Sequence, residues 1–454
     1  MNMDLPNYFL ADLPPEAELG PGLITEACQT LKRNRERYLE ARSTESIVRM
    51  LDRVGRDWLS PDFPFRHFAL KAGPAATGFS EQVLAHGLDQ FFGQLTTENL
   101  EALLGQELGQ RQRLDNFHAS EEETTRRRTA LARGPQLLAH IAPGNIPAAT
   151  LAQMVLGLLA RSAQFVKCAS GQTFLPRLFA HSLYEAEAKI GACLEVAEWK
   201  GGLESLETAL LAEADCVAVT GSDETLAAVR RLTPASTRFL GYGTRVSFGF
   251  ISRAGLEKHG KEAARHAAKA VAAWDQRGCL SPHVLYVEDG GAVTAESFAT
   301  ALAEELAALE KTHPRGTLKT QAAAAIARRR AFYEVRAAHS LETKMWASPE
   351  STAWTVILET DPRFQASCQN RFIYVKAVTS AEGALQGAEP IREKVSTIGL
   401  TCAATETAEL ALRFAKWGAL RICPLGEMQN PPLAWRHDGR PALGDLVTWC
   451  DWER

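Results

Sequence analysis

Cys279 has the clearest setting for covalent chemistry in this sequence. It follows Gly278 at the end of a stretch of helical character and precedes Leu280-Ser281-Pro282, which is typical of a turn. A cysteine in such a turn can lie near backbone N–H groups, which favour the nucleophilic thiolate. The alternative is a buried structural cysteine, a common situation for this residue type. The turn makes Cys279 a candidate nucleophile for attack on a carbonyl.

Asn145 is a candidate for stabilising the product of such an attack. Pro143 and Pro147 bracket it, and it lies where a predicted strand ends and a helix begins. A side-chain amide held there can donate to the oxygen that becomes negative when a thiolate adds to a carbonyl. The alternative is a helix N-cap, a position that asparagine favours. The residue alone leaves both interpretations open.

Lys167 and the run Thr220-Gly221-Ser222 are candidates for binding an anionic group. The run ends one predicted strand and opens a helix, and bare N–H groups at a helix N-terminus suit a phosphate. Lys167 ends another predicted strand, and its alternative interpretation is a solvated surface lysine. Many loops between strands and helices contain Gly and Ser, so the run by itself is a weak signal.

Short β-branched strands alternate with helices between about residues 135 and 243 and would position these candidates. The predicted strands are Gln136–Ala142, Phe165–Cys168, Cys193–Ala197 and Cys216–Val219. The predicted helices run from about Pro147, from beyond Cys168 to about Ile190, from Leu203, and from a cap at Asp223. This alternation predicts βαβ units in a parallel sheet, which binds ligands at the carboxyl ends of its strands. A Gly-x-Gly-x-x-Gly fingerprint is absent, so any nucleotide must be held differently.

A second α/β region begins near residue 244 and carries Cys279. We predict a strand at Val246–Ile251 and a helix from Lys261 to Trp274. An alanine-rich helix at 293–310 precedes strands predicted at Thr355–Leu358 and Phe372–Val375. A final strand is predicted at Leu446–Trp449. Because a strand at a chain end often completes a neighbouring sheet, we expect oligomerisation.

Composition excludes several classes of protein. The chain has 454 residues with 46% apolar and 23% charged residues, which suits a soluble globular protein of two or three domains. A net charge of -4 and the lack of a basic tail argue against nucleic-acid binding. We expect neither a secretory signal nor a membrane span, because no cationic start precedes an apolar run and no apolar run is long enough. Nine scattered cysteines without zinc spacing predict a reducing cytoplasm and no metal site.

The order of these motifs resembles the aldehyde dehydrogenase superfamily. The series is Pro-x-Asn-x-Pro, Val-Lys-x-x-Ser, Val-Thr-Gly-Ser, Leu-Gly and Gly-Cys, and it covers about residues 135 to 290. Within that superfamily, Trp274-Asp275-Gln276-Arg277-Gly278-Cys279-Leu280-Ser281-Pro282 is similar to the long-chain acyl-CoA reductases of the LuxC type. The segment from Arg421 to Trp449 is also typical of that family.

The resemblance implies a fold and a set of domains. It predicts an aldehyde dehydrogenase-like α/β chain with two parallel-sheet domains and a small oligomerisation element. A helical segment at 1–120 would pack on an NADP-binding α/β domain at 121–243. A catalytic α/β domain would follow at 244–419, and 420–454 would form an oligomerisation or domain-bridging strand.

The resemblance also implies roles for single residues. Cys279 falls where the superfamily has its nucleophile, and Asn145 where it has the oxyanion amide. Lys167 matches the lysine that contacts the adenosine ribose. Ser222, with Thr220 and Gly221 before it, matches the pyrophosphate loop. These matches turn the separate candidates into one expected site.

Two departures from the superfamily pattern refine the expected activity. NAD-preferring members usually carry a glutamate three residues after the lysine, and here that position is Ser170. Losing this carboxylate removes repulsion against a 2′-phosphate, which favours NADPH. Hydrolytic members carry a glutamate before Leu-Gly, and here that position is Phe239, which cannot take a proton. Water should therefore attack the thioester slowly, and the acyl group should exchange with a thiol instead.

We therefore predict NADPH-dependent reduction of a long-chain acyl-CoA to the aldehyde. The Cys279 thiolate would attack the acyl carbonyl while Asn145 and a backbone N–H hold the oxyanion. CoA would leave, and hydride from NADPH would reduce the thioester to a thiohemiacetal that releases the aldehyde. The alternatives are an aldehyde dehydrogenase working in the oxidising direction and a non-catalytic subunit of an acyl-transfer complex.

Some properties stay open at this point. The resemblance leads us to expect an acyl-activating or acyl-transferring partner protein, and the final strand leads us to expect a homo-oligomer. Acyl chain length, the physiological acyl donor, oligomer size and pathway do not follow from the sequence. The general acid is also unassigned, because His283, the nearest imidazole in sequence, suits a turn or core position equally well.

Overall fold

A computed structural model describes residues 3, 5–14 and 16–454, which divide into two compact units. The first unit contains the described residues up to Thr77, Leu88–Gly243 and Pro432–Arg454. The second unit contains Gly78–Gly87 and Thr244–Pro431. Within the described residues, no helix has both the length and the apolar character needed to cross a membrane.

The strands of the described chain form three sheets. In chain order they are β1 (Arg128–Arg133), β2 (Leu137–Ile141), β3 (Ala163–Cys168), β4 (Leu194–Glu198), β5 (Cys216–Thr220), β6 (Arg238–Tyr242), β7 (Val246–Ile251), β8 (Pro282–Glu288), β9 (Thr343–Ala347), β10 (Thr355–Glu359), β11 (Phe372–Val378), β12 (Val395–Thr401), β13 (Arg421–Pro424) and β14 (Thr448–Glu453). One sheet has five strands, one has seven, and β1 pairs with β14 alone.

The α-helices connect and cover these strands. They are α1 (Pro21–Tyr38), α2 (Thr44–Leu59), α3 (Pro64–Thr77), α4 (Glu81–Phe92), α5 (Thr97–Leu108), α6 (Glu121–Thr125), α7 (Pro147–Leu159), α8 (Phe174–Ala186), α9 (Ala188–Gly191), α10 (Glu204–Glu213), α11 (Asp223–Leu232), α12 (Arg253–Ala272), α13 (Ala295–Thr312), α14 (Thr320–His339), α15 (Ala381–Ala388) and α16 (Thr407–Trp417). Side-chain caps start several of them: Ser252 accepts a hydrogen bond from the Gly255 N–H before α12, as N-cap serines commonly do. The helix predicted at Lys261–Trp274 therefore begins earlier and ends earlier than expected.

The first unit is built on a parallel sheet with the strand order β4-β3-β2-β5-β6. β2 and β3 are buried along their whole length, which is why the sequence shows apolar runs there instead of an alternating pattern. Residues of α1 and α10 form a core with one face of the sheet. Gln164, on the opposite face, donates to the Met154 carbonyl of α7 at 3.0 Å. Helices thus cover both faces and leave the strand ends for function.

The second unit is built on a sheet with the order β13-β12-β7-β8-β11-β10-β9. Its strands run parallel except for β9, which is antiparallel to β10. One apolar core joins the sheet to α12 and α13, and another joins it to α14, α15 and α16. This is the doubly covered α/β arrangement that the sequence predicted.

The C-terminal residues divide between the units. β13 is an edge strand of the seven-stranded sheet, whereas Pro432–Arg454 belong to the first unit. This division differs from the single segment predicted at 420–454. The final strand covers Thr448–Glu453, two residues beyond the predicted start at Leu446, and pairs antiparallel with β1. Its contribution to an oligomer stays a prediction.

Candidate active site

The first unit brings most of the predicted site residues to one edge of its sheet. The chain proceeds from β2 through β3 to β4 on one side, and continues through β5 to β6 on the other. The direction of winding therefore changes between β2 and β5, which is the usual ligand crevice of an open parallel sheet. Asn145 follows β2, and Thr220 ends β5. Lys167 pairs with Ile141 of β2, one strand away.

Asn145 does not occupy the helix cap that was its alternative interpretation. The N-cap residue of α7 is Ile146, and Pro147 is the first residue of the helix. Asn145 is half-buried in the turn before that cap. Gly144 brings this turn close to the loop after β3, because a Cβ at Gly144 would lie 3.3 Å from the Ala169 Cβ. The turn therefore presents Asn145 from the carboxyl edge of the sheet.

The run at the end of β5 already uses much of its hydrogen-bonding capacity. The Thr220 hydroxyl accepts from Gln153 Nε2 at 2.8 Å, and the Gly221 N–H donates to the Tyr242 carbonyl at 3.1 Å. Ser222 caps α11 by accepting from the Thr225 N–H at 3.3 Å. The cap predicted at Asp223 is therefore wrong by one residue, since Asp223 begins the helix.

The start of α11 is also acidic. Asp223 and Glu224 lie in its first turn, where they interact favourably with the helix dipole and oppose an incoming anion. The pyrophosphate role assigned to Thr220, Gly221 and Ser222 stays a prediction. The structure gives these residues partners of their own.

Lys167 is buried and is not the solvated lysine of its alternative interpretation. Its Nζ lies 5.7 Å from the centroid of the Trp199 ring, within the range of a cation–π contact. Burial lowers the pKa of Lys167, while the carboxylates of Glu207 and Glu198 oppose that shift. The buried Nε1 of Trp199 has no hydrogen-bond partner among the residues that the structure describes. Lys167 and Trp199 are therefore in contact, and each has a donor of the kind that suits an anionic or hydroxyl-rich ligand.

Trp199 and Glu198 were missed by sequence reasoning. They follow one another at the end of β4, and Glu198 Oε1 accepts from the Gly171 N–H at 2.7 Å. Glu198 Oε2 also accepts from the Thr173 hydroxyl. Ser170 is exposed in this same loop, so the loop does hold a carboxylate even though Ser170 supplies none. The only available signal was their position at the end of a strand next to Lys167.

Cys279 lies in the second unit, in a segment we call the nucleophile loop (Arg277–Ser281). The loop stands before β8, so Cys279 is at the amino edge of its sheet. Cys279 is half-buried, unlike the fully buried structural cysteine of the alternative interpretation. Its carbonyl accepts from the Ser247 hydroxyl of β7 at 2.8 Å. A hydroxyl from a neighbouring strand thus fixes the backbone at Cys279, the candidate nucleophile.

Packing holds the first residue of this loop and the residues directly before it. The Arg277 guanidinium lies 4.4 Å from the centroid of the Phe79 ring, and Phe79 makes an edge contact with Trp274 at 5.3 Å. Gly87 leaves room for the Trp274 indole, because a Cβ there would lie 2.1 Å from Cζ2. The short segment Gly78–Gly87 therefore supports the nucleophile loop within the second unit.

His283 is a buried neutral imidazole. Its Nδ1 accepts from the Ser367 N–H at 3.1 Å and lies 3.0 Å from the Ser367 hydroxyl, which places the ring proton on Nε2. Burial lowers the pKa of His283 to about 4. At neutral pH His283 carries no extra proton to give away, so it is a poor general acid.

Phe239 lies inside β6, where it pairs with Val217 and packs partly against the core of the first unit. The Arg230 guanidinium lies 5.0 Å from the centroid of its ring. An aromatic side chain in this position offers no base to activate water.

The comparisons with known proteins cover nearly the whole chain. The family model described as "Acyl-CoA reductase (LuxC)" matches residues 39–449. The long-chain acyl-protein thioester reductase of Vibrio harveyi is 22% identical over 423 residues, with 92% of this chain and 84% of that relative covered. The long-chain acyl-protein thioester reductase of Photorhabdus luminescens is 23% identical over 419 residues, with 90% and 82% covered.

The fold has relatives among solved structures. The NAD-dependent benzaldehyde dehydrogenase of Corynebacterium glutamicum superposes with a TM-score of 0.69 at 13% identity, covering 98% of this chain and 94% of that one. The NAD-dependent aldehyde dehydrogenase of Sinorhizobium meliloti gives 0.68 at 14% identity, covering 96% and 87%. The predicted aldehyde dehydrogenase fold is confirmed.

Proposed function

Because the chain belongs to the LuxC family of acyl thioester reductases, we propose that it reduces a long-chain acyl thioester to the aldehyde with NADPH. The reaction proceeds through a thioester on Cys279. The observation that carries the proposal is the setting of Cys279, a half-buried thiol in a loop whose backbone is held from β7. The relatives named above act on acyl-protein thioesters, and acyl-CoA offers the same reacting bond.

In the first step the Cys279 thiolate attacks the acyl carbonyl. A carbon–sulfur bond forms at Cys279, and the donor thiol leaves and takes up a proton. The Asn145 amide donates to the oxyanion in this step, which is the role that side-chain amides have in acyl transfer. The source of the proton is not His283, because its pKa is about 4.

The acyl group then stays on Cys279 until it is reduced. Phe239 gives water no base in β6, so hydrolysis to the acid is slow. NADPH, when bound, supplies the hydride that converts the thioester to a thiohemiacetal. Loss of the Cys279 thiolate from that adduct releases the aldehyde and restores the enzyme.

We assign the cofactor to the edge of the five-stranded sheet. Lys167 and the unpaired Trp199 N–H supply two donors for the adenosine end of a nucleotide. A 2′-phosphate gains from Lys167, while the Glu198 carboxylate opposes it. The proposed preference for NADPH therefore rests on the charge of Lys167 and on the lack of a carboxylate at Ser170 itself, with Glu198 opposing it.

The test is to mix the purified protein with tetradecanoyl-CoA and NADPH, and to measure both NADPH absorbance and tetradecanal. We expect stoichiometric loss of NADPH and formation of aldehyde. The Cys279→Ala variant should show neither, whereas Cys402→Ala, which removes another half-buried thiol of the second unit, should react like the wild type. A parallel reaction with a tetradecanoylated protein thioester identifies the better donor.

Two results would overturn the proposal. Oxidation of tetradecanal to the acid without CoA would identify an aldehyde dehydrogenase and contradict the argument from Phe239. Absence of both NADPH binding and acylation would instead support a non-catalytic subunit.

A further inference from the structure

Two short runs of unfavourable backbone lie beside the nucleophile loop. Trp274, Asp275 and Gln276 have φ angles of 48°, 49° and 61°, directly before the loop. The run Gln369–Arg371 has φ angles of 57°, 55° and 66°, directly before β11. A left-handed backbone is unfavourable for any residue with a Cβ, and it persists only where the surroundings impose it.

Buried polar contacts join these two runs to each other. Arg371 donates to Asp275 Oδ1 from Nε at 3.1 Å, and its Nη2 lies 2.8 Å from the same oxygen. Gln276 is fully buried and accepts from the Phe372 N–H at 2.8 Å. Its Nε2 donates to the Phe372 carbonyl at 2.9 Å and to the Pro282 carbonyl at 2.8 Å. Gln276 therefore ties the two ends of the nucleophile loop to β11.

Further contacts anchor the pair to the rest of the second unit. Asp275 Oδ2 accepts from the Gly316 N–H at 3.0 Å. Arg371 Nη1 donates to Glu310 Oε2 and to the His313 carbonyl, both at 2.8 Å. Burial raises the pKa of Asp275 while the Arg371 guanidinium opposes that rise. A buried charge pair of this kind is costly unless hydrogen bonds compensate for the lost hydration, and here Arg371 Nε and Nη1 and both carboxylate oxygens of Asp275 have such partners.

We propose that Asp275, Gln276 and Arg371 form a clamp that sets the backbone of the nucleophile loop for attack on a carbonyl. The clamp residues are positioning residues, acting through the backbone of Arg277–Ser281 and not by contact with substrate. The inference deepens the proposed function and rests on it. The substrate in question is the same acyl thioester that reacts with Cys279.

Two reactions of Cys279 distinguish a positioning role of the clamp from a purely stabilising one. Addition to an acyl carbonyl requires the thiolate to approach at a defined angle while the oxyanion reaches its donors. Alkylation by iodoacetamide displaces iodide and needs no oxyanion donor. A shift of the loop backbone should therefore slow acylation much more than alkylation.

The test compares Asp275→Asn with a matched variant, Glu359→Gln. Glu359 forms another buried ion pair in the same unit, with Oε2 3.0 Å from Lys376 Nζ, and it also pairs with Arg336. Both substitutions remove one buried negative charge with little change in shape. Acylation of Cys279 by tetradecanoyl-CoA and its alkylation by iodoacetamide are each followed by peptide mass spectrometry, and folding is checked by thermal unfolding.

We expect Asp275→Asn to slow acylation at least about tenfold and to change alkylation by less than about threefold. Glu359→Gln should change both rates by less than about threefold. If Asp275→Asn does not fold, Gln276→Met removes the hydrogen bonds of this side chain to Phe372 and Pro282 without burying a charge. The same split between the two reactions is expected for that variant.

Equal losses in both reactions, or equal effects of the two charge-removing variants, would show that the clamp serves stability alone. Unchanged acylation in the clamp variants would also overturn the inference. A wild-type protein that alkylates at Cys279 but does not acylate would contradict the proposed function itself, which keeps the two failures distinguishable.

Discussion

The edge of the five-stranded sheet and the nucleophile loop position their proposed functional residues in opposite ways. Asn145, Lys167 and Thr220 lie at the carboxyl ends of parallel strands, where regular hydrogen bonding fixes the backbone. Cys279 lies at the amino edge of its sheet, after a run of three left-handed residues. There the backbone is fixed by side chains, through Ser247 and the clamp.

The difference shows where each region is vulnerable. Substitutions at the sheet edge remove single interactions and leave the strands intact, so their effects should be confined to oxyanion stabilisation or cofactor binding. Substitutions near the nucleophile loop act through packing and buried charge, so they should change geometry and stability together. The variants below test that contrast, beginning with the largest expected effect.

Asn145→Ala removes the proposed oxyanion donor at the sheet edge. We expect kcat for aldehyde formation to fall about 10²–10³-fold with little loss of stability, as for loss of one donor from an oxyanion hole. Asn34→Ala is the matched control, because the Asn34 amide is half-buried in the same unit and donates to the Ala192 carbonyl. A loss of less than threefold in Asn145→Ala would remove Asn145 from the mechanism.

Gly87→Ala disturbs the packing of the nucleophile loop from a distance. The added Cβ would lie 2.1 Å from Trp274 Cζ2 and must displace the indole. We expect a loss of about 1–3 kcal/mol in the free energy of unfolding. Acylation of Cys279 should slow about tenfold. Urea unfolding and acylation rates measure the two effects.

The control for that substitution is Gly105→Ala in α5, where a Cβ would meet nothing within 4 Å. Alanine should stabilise this helix by about 0.5–1 kcal/mol and leave acylation unchanged. Gly87→Ala could instead leave both the acylation rate and the free energy of unfolding unchanged. That result would show that the packing around Trp274 does not hold the loop.

A pH titration compares one buried histidine in each unit. Burial lowers the pKa of His140 to about 4, as it does for His283. Both are neutral when folded but gain a proton when unfolded below pH 6.5, so stability should fall as pH drops from 6.5 towards 4. Each contributes about 2 kcal/mol of that loss by pH 5.

Urea unfolding at pH 7 and pH 5 measures this dependence. His140→Gln and His283→Gln should each flatten it by a similar amount. If either variant keeps the pH dependence of the wild type, the histidine that was replaced does not contribute to it. Its pKa would then be similar in the folded and unfolded protein.

Glu198→Gln tests the proposed cofactor site at the edge of the five-stranded sheet. Removing this carboxylate beside Lys167 should favour NADPH over NADH by about fivefold to tenfold in the ratio of dissociation constants, on the order of 1 kcal/mol. Direct titration calorimetry measures binding without turnover. Glu204→Gln, which removes an exposed carboxylate paired with Arg231, is the control and should leave the ratio unchanged.

Trp199→Phe completes that test, because it keeps an aromatic ring under Lys167 and removes the unpaired N–H. We expect NADPH binding to weaken about fivefold. Unaltered binding of both cofactors in the two variants would remove Glu198 and Trp199 from the cofactor site.

Local sequence patterns were sufficient to predict β2, which Asn145 follows, and β3, which contains Lys167. Their buried β-branched runs and the turns that follow are encoded by neighbouring residues. The boundaries were less accurate: a helix was predicted through Trp274, where the backbone is left-handed instead. No periodicity signals such a run, because contacts with distant residues impose it.

The residues that sequence analysis missed are those defined by distant partners. Asp275 and Arg371 are 96 positions apart, and either one alone is an ordinary charged residue. Glu198, at the end of β4, accepts a hydrogen bond from the Gly171 N–H in the loop that contains Ser170. Such pairings depend on the order of strands in a sheet, which motif spacing does not specify.

The most direct test of the central claim is to trap the acyl group on the enzyme. The protein is mixed with tetradecanoyl-CoA in the absence of NADPH, digested, and analysed by peptide mass spectrometry. We predict one tetradecanoyl group on Cys279, sensitive to hydroxylamine and released as tetradecanal when NADPH is added to the intact acyl-enzyme. An acyl group on another residue, or its release as tetradecanoic acid when NADPH is added, would contradict the account.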